Sequence, residues 1–201
     1  MPPKVIKHFK KSDPILFEVI KRIGAIDTPT GRKGKNYFLD LIESIVSQQL
    51  SGKAADKIFE RFKTLFSGRK ITPDTVLKLK DEKIRKTGIS YSKVKYIKDL
   101  ASKVASGELL LQSLPELEDE KIVTQLVQVK GIGRWTAEMF LIFTLGREDV
   151  FSHGDLGLNN AIKKIYNPQN HSRDAVEKIA SKWSPYKSWA SLILWRSLDN
   201  R

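Results

Sequence analysis

The sequence contains no cysteine, and only three histidines and two methionines occur among its 201 residues. Without thiols the chain can form neither disulfides nor thiolate metal sites, and a four-cysteine iron–sulfur cluster is excluded for the same reason. The histidines, His8, His153 and His171, lie far apart and lack the spacing of a zinc site. We therefore expect no metal among the catalytic groups.

Long hydrophobic runs are also missing, because no apolar stretch approaches the ~20 residues that a membrane span requires. The basic amino terminus, MPPKVIKHFKK, has no signal-peptide core. We therefore expect no membrane partner and an intracellular protein, in the cytoplasm or nucleoid of a prokaryote or in the nucleus of a eukaryote.

Acidic residues are outnumbered, with 23 Asp and Glu against 36 Lys and Arg, which gives a formal net charge of +13 and an isoelectric point near 9.8. Basic side chains that neutralise phosphates release counterions, so this balance favours a polyanionic partner such as nucleic acid. A merely soluble basic protein could have the same composition. The motifs must therefore decide between the two.

Apolar residues recur every three or four positions along the chain, and no stretch shows the alternation of a β-strand, which predicts an all-α fold. Asp13 and Ser51 are typical helix N-caps, and a basic surface loop is predicted over 27–35. The lysines expected to point outward from one long helix are Lys93, Lys95, Lys98 and Lys103. The predicted helices cover 14–23, 36–48, 51–66, 73–79, 81–87, 90–106, 136–145, 155–166, 172–183 and 186–198, with a further helical pattern at 122–127.

A tight turn is predicted where Gly131, Ile132 and Gly133 separate two helical patterns. Two glycines around one aliphatic residue suit a turn that needs φ > 0 and leaves backbone N–H groups uncovered. An anion can approach such groups closely, and Lys130 and Arg134 flank the turn. We expect this hairpin, Lys130 to Arg134, to bind a nucleic-acid phosphate.

Four blocks of sequence occur in a fixed order along the chain: 45–51 (IVSQQLS) with 53–55, 129–137 (VKGIGRWTA), 154–158 (GDLGL), and 183–190 (WSPYKSWA) with 194–195. Together they resemble the helix-hairpin-helix DNA glycosylases, and most closely the 3-methyladenine (AlkA-type) branch. A Gly-Ile-Gly hairpin alone would be weak evidence, because many non-catalytic DNA-binding proteins carry one. Four blocks spread over most of the chain are far more specific.

The resemblance implies two helical subdomains with the active site in the cleft between them. The central subdomain would run over 36–143, and the second would combine 1–35 with 144–201. The resemblance also implies a monomer that acts on double-stranded DNA containing alkylated bases and that needs no cofactor. A monovalent cation bridging hairpin carbonyls to phosphate is known in this superfamily, and the residues do not decide whether one binds here.

Asp155 is the candidate catalytic residue that the resemblance indicates. Hydrolysis of an N-glycosidic bond passes through a cationic sugar, which a carboxylate in a low-dielectric site stabilises. The alternative is that Asp155 only caps the following helix, and both roles can hold together. Many relatives have a second aspartate where this chain has Gly154, and a nearby proline where it has Ser152 or His153.

Trp135, Met139 and Tyr186 are the residues that the resemblance places around the extruded base. Glycosylases that also cleave the strand have a nucleophilic lysine where this chain has Trp135, and an indole cannot form a Schiff base. A monofunctional enzyme is therefore expected. An aromatic residue is common in relatives at the position of Met139. Trp183 and Trp189 are expected to be core residues.

Gln49 and Leu50 are the candidates for the wedge that enters the duplex when a base is flipped, with Gln49 preferred. A side chain that fills the vacated space partly offsets the cost of unstacking. The alternative is an ordinary polar turn between two helices.

The function predicted from these features is a monofunctional DNA glycosylase of base excision repair, which releases 3-methyladenine and 7-methylguanine after base flipping. One alternative is a non-enzymatic helix-hairpin-helix module that clamps the DNA backbone. Another is a glycosylase for deaminated or oxidised bases.

Overall fold

A computed structural model describes residues 1–24, 26, 36–66, 68–168, 170 and 172–199, and within these residues it contains helices and no β-strand. The predicted all-α fold is confirmed. The basic loop predicted over 27–35 and His171 lie outside the described residues. No described helix is long and apolar enough to cross a membrane.

Twelve α-helices are present in the described part of the chain, together with two 3-10 segments, Leu111–Glu116 and Ser181–Trp183, and one π-helical segment, Phe140–Leu145. The α-helices are α1 (Pro3–Ser12), α2 (Pro14–Ile23), α3 (Tyr37–Ser47), α4 (Gly52–Thr64), α5 (Pro73–Leu77), α6 (Asp81–Arg85), α7 (Tyr91–Ala105), α8 (Asp119–Leu126), α9 (Arg134–Met139), α10 (Leu156–Tyr166), α11 (Arg173–Ala180) and α12 (Lys187–Asp199).

The chain divides into two compact units. The central unit runs over Gly34–Phe140, and the terminal unit combines Met1–Lys33 with Leu141–Arg201. The division proposed from sequence, 36–143 against the two ends, differs from these bounds by two or three residues.

In the central unit, α7 packs against α3, α5 and α6, and α8 packs against α9. Local capping explains where two of these helices begin, because the side chains of Asn36 and Ser90 accept hydrogen bonds from backbone N–H groups three residues on. Ser51 occupies the N-cap position of α4, but its hydroxyl makes no capping hydrogen bond there. The apolar face of α7 is buried as predicted at Val94, Ile97 and Ala101.

Two lysines of α7 were expected to face solvent, and that expectation is wrong. The Lys93 ammonium donates to the carbonyls of Val46 and Gln48, at 2.8 and 2.5 Å. The Lys98 ammonium donates to three carbonyls at the end of α5, those of Val76, Leu77 and Leu79. Lysine stems are apolar and their heads can reach the unsatisfied carbonyls at a helix end, so helical periodicity alone does not predict their direction.

In the terminal unit, α12 packs against α2 and α10. The predicted cap is present at Asp13, whose side chain accepts a hydrogen bond from Leu16, and Ser172 caps α11 by accepting one from Ala175. Trp183 and Trp189 are fully buried, which confirms their assignment to the core. The helix α1 was not predicted, although Val5 and Phe9 are spaced by one turn and both are buried.

The helix predicted over 136–145 has a more complex form. It begins as α9 and continues as the π-helical segment from Phe140 to Leu145. Phe143 has 42% of its surface exposed, so this stretch is not buried on every side as its apolar composition suggested.

Candidate nucleic-acid interface and active site

The hairpin between α8 and α9 is built around Gly131. Its φ of 81° lies in the left-handed region, which favours glycine, and a Cβ at this position would overlap the ring of Tyr96 on α7. Ile132 is buried, and its backbone N–H donates to the Val129 carbonyl at 3.0 Å. The turn is therefore held from inside by packing.

Gly133 differs from Gly131 and does not fit the expectation that both glycines need φ > 0. Its φ is −88° with a ψ of 172°, which is extended backbone that any residue adopts. Nothing lies within 4 Å of a Cβ built on it. A side chain at Gly133 is therefore tolerated by the fold, and only an approaching ligand would meet it.

The two charged residues of the hairpin have different partners. Lys130 has a side chain that is 75% exposed, while its backbone N–H donates to Oδ2 of Asp99 at 2.9 Å. The Arg134 guanidinium forms a two-pronged ion pair with Glu120 and a second ion pair with Glu138. Hydrogen bonding to Glu120 raises the pKa of Arg134. The Lys130 ammonium lies 3.8 Å from Oδ1 of the same Asp99 and stays largely exposed, whereas Arg134 is held by two carboxylates.

The turn between α3 and α4 presents the two candidate wedge residues to solvent. Gln49 is exposed and has a φ of 58°, an uncommon conformation for a residue other than glycine, and Leu50 is 40% exposed. The neighbouring Gln48 has a different role, because its amide donates to the Gly131 carbonyl at 2.8 Å. The interhelix turn and the hairpin are thereby joined directly.

Trp135 and Met139 lie four residues apart on α9 and so share one side of that helix. Trp135 is 46% exposed, which is unusual for an indole, and Met139 is half-buried. An exposed indole beside a flexible thioether forms an apolar surface onto which a planar ring can stack.

Asp155 is the N-cap of α10 in the terminal unit and is buried. Its Oδ1 accepts hydrogen bonds from the backbone N–H of Leu158, at 2.7 Å, and from the indole of Trp195, at 3.0 Å. The capping role that the sequence suggested is therefore present. These two donors fix the orientation of the carboxylate.

The backbone next to Asp155 is arranged to keep the carboxylate and the indole together. A Cβ at Gly157 would lie 3.1 Å from Asp155 Oδ1 and 3.2 Å from Cδ1 of Trp195, so only glycine leaves both groups undisturbed. The amide of Asn159 donates to the carbonyls of His153 and Asp155. Trp195 also stacks on Phe143, with ring centroids 5.8 Å apart.

Trp195 and Asn159 were given no role from the sequence. Trp195 lies within one of the blocks that carry the family resemblance, but it follows Leu194 in a helix with apolar residues on several sides. Its pattern therefore does not separate it from the core tryptophans. The spacing of Asn159 four residues after Asp155 was the only sequence signal that placed it near the carboxylate.

Tyr186 also belongs to the terminal unit and is half-buried. Its ring meets His8 edge-on at 5.2 Å and lies beneath the ammonium of Lys4, 5.4 Å from the ring centroid. The ring therefore already contacts a cation in this structure.

Glu148 and Asp149 have partners in the terminal unit. Glu148 accepts a hydrogen bond from the indole of the buried Trp189, and Asp149 accepts one from the backbone N–H of Lys187, at the start of α12. Within the part of the chain that the structure describes, no group of three or more His, Asp or Glu side chains could hold a metal ion.

Known proteins resemble this chain in both sequence and structure. A relative from Bacillus subtilis is 35% identical over 79% of this chain, and the chain spans 58% of that protein's length. The crystal structure of a DNA-3-methyladenine glycosidase from Bacillus halodurans is 36% identical, with a TM-score of 0.86 over 99% of this chain and 90% of that one. A 3-methyladenine DNA glycosylase from Schizosaccharomyces pombe, solved in complex with abasic DNA, is 31% identical, with a TM-score of 0.83 over 96% of this chain and 95% of that one.

Residues 42–185 match the model of the HhH-GPD superfamily of base excision DNA repair proteins, and they include the hairpin, the interhelix turn and Asp155. The chain belongs to this superfamily of base excision DNA repair proteins.

Proposed function

We propose that the protein is a monofunctional DNA glycosylase that hydrolyses the N-glycosidic bond of alkylated purines, such as 3-methyladenine and 7-methylguanine, in duplex DNA. The observation that carries the proposal is the buried Asp155 carboxylate, which is oriented by the Leu158 N–H and the Trp195 indole in a chain of a base excision repair superfamily. The similarity to the glycosylases from Bacillus halodurans and Schizosaccharomyces pombe supports the substrate class.

Asp155 acts on the sugar. When the bond from C1′ to the purine nitrogen breaks, its electron pair leaves with the base and positive charge develops on the sugar ring. A carboxylate held in place stabilises that charge without having to reorganise, which lowers the barrier. Water then adds to C1′ and gives up a proton, and the product is an abasic site.

The reaction uses water, because no amine stands at the hairpin position where strand-cleaving relatives have lysine. Trp135 occupies that position, and its indole cannot form a Schiff base. The nearest amine in sequence, Lys130, lies on the exposed side of the hairpin, and its backbone is tied to Asp99. Lys130 therefore serves phosphate binding.

Trp135 and Met139 contribute selectivity for the base. Purines alkylated at N3 or N7 are cationic, so their glycosidic bond is already weakened, and an electron-rich indole attracts them by ~0.5 to 2 kcal/mol. The thioether of Met139 makes this surface accommodating. Tyr186 is the third residue assigned to the base, although the Lys4 ammonium above its ring makes it less attractive to a cation.

The exposed Lys130 and the uncovered backbone N–H groups of the hairpin bind DNA phosphates. Arg134 can also bind a phosphate after its ion pair with Glu120 breaks. Gln49 is the wedge, and Leu50 is the second candidate. The Gly131 carbonyl accepts the Gln48 amide and has a second lone pair with which it could also bind a monovalent cation. The protein acts as a monomer inside the cell, where its DNA substrate is.

The test is release of bases from methylated duplex DNA, measured by chromatography of the free purines. The intact protein should release 3-methyladenine and 7-methylguanine, and it should leave abasic sites that break only on heating or with added base. Trp135→Ala should lower the excision of 3-methyladenine while binding to an abasic-site analogue stays nearly unchanged, because only the stacking surface is removed.

Other outcomes would identify the alternatives. Tight DNA binding without base release would indicate a non-enzymatic hairpin module. Faster release of 8-oxoguanine or uracil than of 3-methyladenine would contradict the assignment to alkylated purines. A borohydride-trappable adduct would contradict the use of water.

A further inference from the structure

One face of α7 contacts both segments that are assigned to DNA in the proposed function. Lys93, Tyr96 and Asp99 follow one another at intervals of three residues, so their side chains form one stripe along the helix. Lys93 reaches the interhelix turn, and Tyr96 and Asp99 reach the hairpin. We call these three residues the α7 brace.

The Lys93 side chain holds the interhelix turn by binding backbone carbonyls of that turn. Its ammonium donates to the Val46 and Gln48 carbonyls at the end of α3. Carbonyls at a helix end have no intrahelical N–H donor, so a side chain can satisfy them. Partial burial lowers the pKa of this ammonium. The residue directly after Gln48 is Gln49, the wedge.

Tyr96 and Asp99 hold the hairpin. The Tyr96 ring packs against the backbone of Gly131, and Asp99 accepts the Lys130 backbone N–H at 2.9 Å. The Gln48 amide then closes a ring of contacts by donating to the Gly131 carbonyl at 2.8 Å. The contacts therefore form a closed ring: Lys93 of α7 binds Gln48, Gln48 binds Gly131, and Gly131 packs against Tyr96 of the same helix.

We propose that the α7 brace fixes the wedge relative to the phosphate-binding hairpin, and that Lys93 is a positioning residue for base flipping. The inference rests on the proposed function for the roles of Gln49 and the hairpin. Because of this ring of contacts, the position of a phosphate bound at the hairpin determines the position of the wedge in the duplex. A wedge that inserts at a fixed distance from the bound phosphate selects one nucleotide for extrusion.

The conformation of Gln49 explains why such a brace is needed. A residue other than glycine at a φ of 58° sits in a sparsely populated region, and it persists only where the surrounding structure holds it. Exposed turns of this kind relax when their supports are removed. Lys93 and the Gln48 amide are the supports that this turn has from α7 and from the hairpin.

The chain offers a matched control for Lys93. Lys98 lies on the same helix and also donates to carbonyls at a helix end, but those carbonyls belong to α5. Lys93→Met and Lys98→Met each remove one ammonium from one helix end and keep the length of the side chain. Only the first variant breaks the ring.

The first measurement is amide hydrogen exchange, which needs no catalytic activity. Lys93→Met should lower protection by about tenfold at two amides, those of Leu50 in the turn and Ile132 in the hairpin, because a charge-assisted contact is lost. Lys98→Met should lower protection at Leu79 and leave the other two amides unchanged. Loss confined to Leu50, or equal losses in both variants, would overturn the proposal.

The second measurement follows flipping, with 2-aminopurine placed beside the lesion, and single-turnover excision. Lys93→Met should slow both by about tenfold or more, as expected for a displaced positioning group, while affinity for undamaged duplex changes little. In a Gln49→Ala background the same substitution should add no further loss, since the wedge through which Lys93 acts is gone. Additive losses would overturn the role of Lys93 in flipping.

Gln48→Met provides a second variant should Lys93→Met fail to fold, because it removes only the link between the turn and the hairpin. It should reproduce the combined loss of protection at Leu50 and Ile132, and unchanged protection at Ile132 would contradict the ring. A protein that releases no methylated base would refute the proposed function and the role in flipping together. The exchange pattern would then still decide whether the brace exists.

Discussion

Two aspartates of the terminal unit, Asp13 and Asp155, share one local structure and differ in their surroundings. Each is the N-cap of a helix and accepts a hydrogen bond from the backbone N–H three residues on. Each also accepts a hydrogen bond from a tryptophan indole, Trp183 for Asp13 and Trp195 for Asp155. Their exposed fractions are 2% and 7%.

Of the two side-chain partners of Asp13, Trp183 is fully buried and Tyr166 is partly buried against the core. The Oδ2 of Asp13 accepts both the Tyr166 hydroxyl, at 2.7 Å, and the indole of the fully buried Trp183, at 2.8 Å. Asp155 is followed directly by Leu156, which is 79% exposed, and its indole donor is only half-buried. An N-cap with an indole donor thus occurs both at Asp13, where we propose a structural role, and at Asp155, where we propose a catalytic one. The indole donor is fully buried at Asp13 and half-buried at Asp155.

The largest expected difference is in excision. Asp155→Asn should lower the single-turnover rate of 3-methyladenine release by ~10²-fold or more, because a preorganised charge beside the sugar is lost. Asp13→Asn should leave the rate unchanged at temperatures where the variant is folded. Binding to lesion-containing DNA, measured in parallel, should survive in both variants. If Asp155→Asn excises normally and only melts earlier, Asp155 is a helix cap alone.

For the free energy of unfolding, the order is reversed, and replacing Asp13 should cost more than replacing Asp155. Asp13→Ala should cost about 3 kcal/mol, since it removes a cap and leaves the buried Trp183 indole and the partly buried Tyr166 hydroxyl without this acceptor. Asp155→Ala should cost about 1 kcal/mol, the usual loss for an N-cap. Urea denaturation followed by circular dichroism measures both values. Equal costs would remove the distinction drawn from partner depth.

The two indole donors allow a subtler test. Trp195→Phe should lower excision by about tenfold, the rate equivalent of one charge-assisted hydrogen bond, with little change in Tm. Trp183→Phe should lower Tm and leave the excision rate of the folded protein unchanged. A Trp195→Phe enzyme with normal excision would show that the indole does not position the carboxylate.

The smallest effect concerns alkaline pH. Burial, followed by the hydrogen bond to Asp13, raises the pKa of Tyr166 above its ordinary value. The folded state therefore keeps a proton that the unfolded chain releases above pH ~10, so this contribution to stability is complete below that pH and is lost as the pH rises further. The slope of unfolding free energy against pH above ~10 should be about 1.4 kcal/mol per pH unit steeper in the wild type than in Tyr166→Phe. Identical slopes would show that Tyr166 titrates normally.

Sequence reasoning succeeded where the cause is local. The cap at Asp13 was predicted because a short polar side chain and the N–H group it accepts lie within one turn. Helices were also predicted to begin at Asn36 and Ser172, whose side chains act as caps in the same way. The burial of Trp183 and Trp189 agrees with the expectation that aromatic residues in helices lie in the core.

Contacts between distant segments could not be predicted in the same way. Lys93 was expected to face solvent because periodicity treats lysine as polar, yet its head meets carbonyls 45 and 47 residues away in sequence. The partnership of Trp195 with Asp155 spans 40 residues and leaves no local pattern. The roles assigned to Asp155, Gln49 and Trp135 remain predictions until the experiments above are done.

The packing of Tyr96 against Gly131 has a consequence for how this chain can evolve. Replacing Gly131 disturbs the core of the hairpin whether or not DNA is ever bound, whereas Gly133 has free space around it. A descendant protein that no longer bound DNA could accept a side chain at Gly133 without loss of folding. Gly131 would still be retained, because the fold itself requires it. Among diverged copies of this gene, substitution of the second glycine is therefore the change that we expect to accompany loss of the proposed DNA binding.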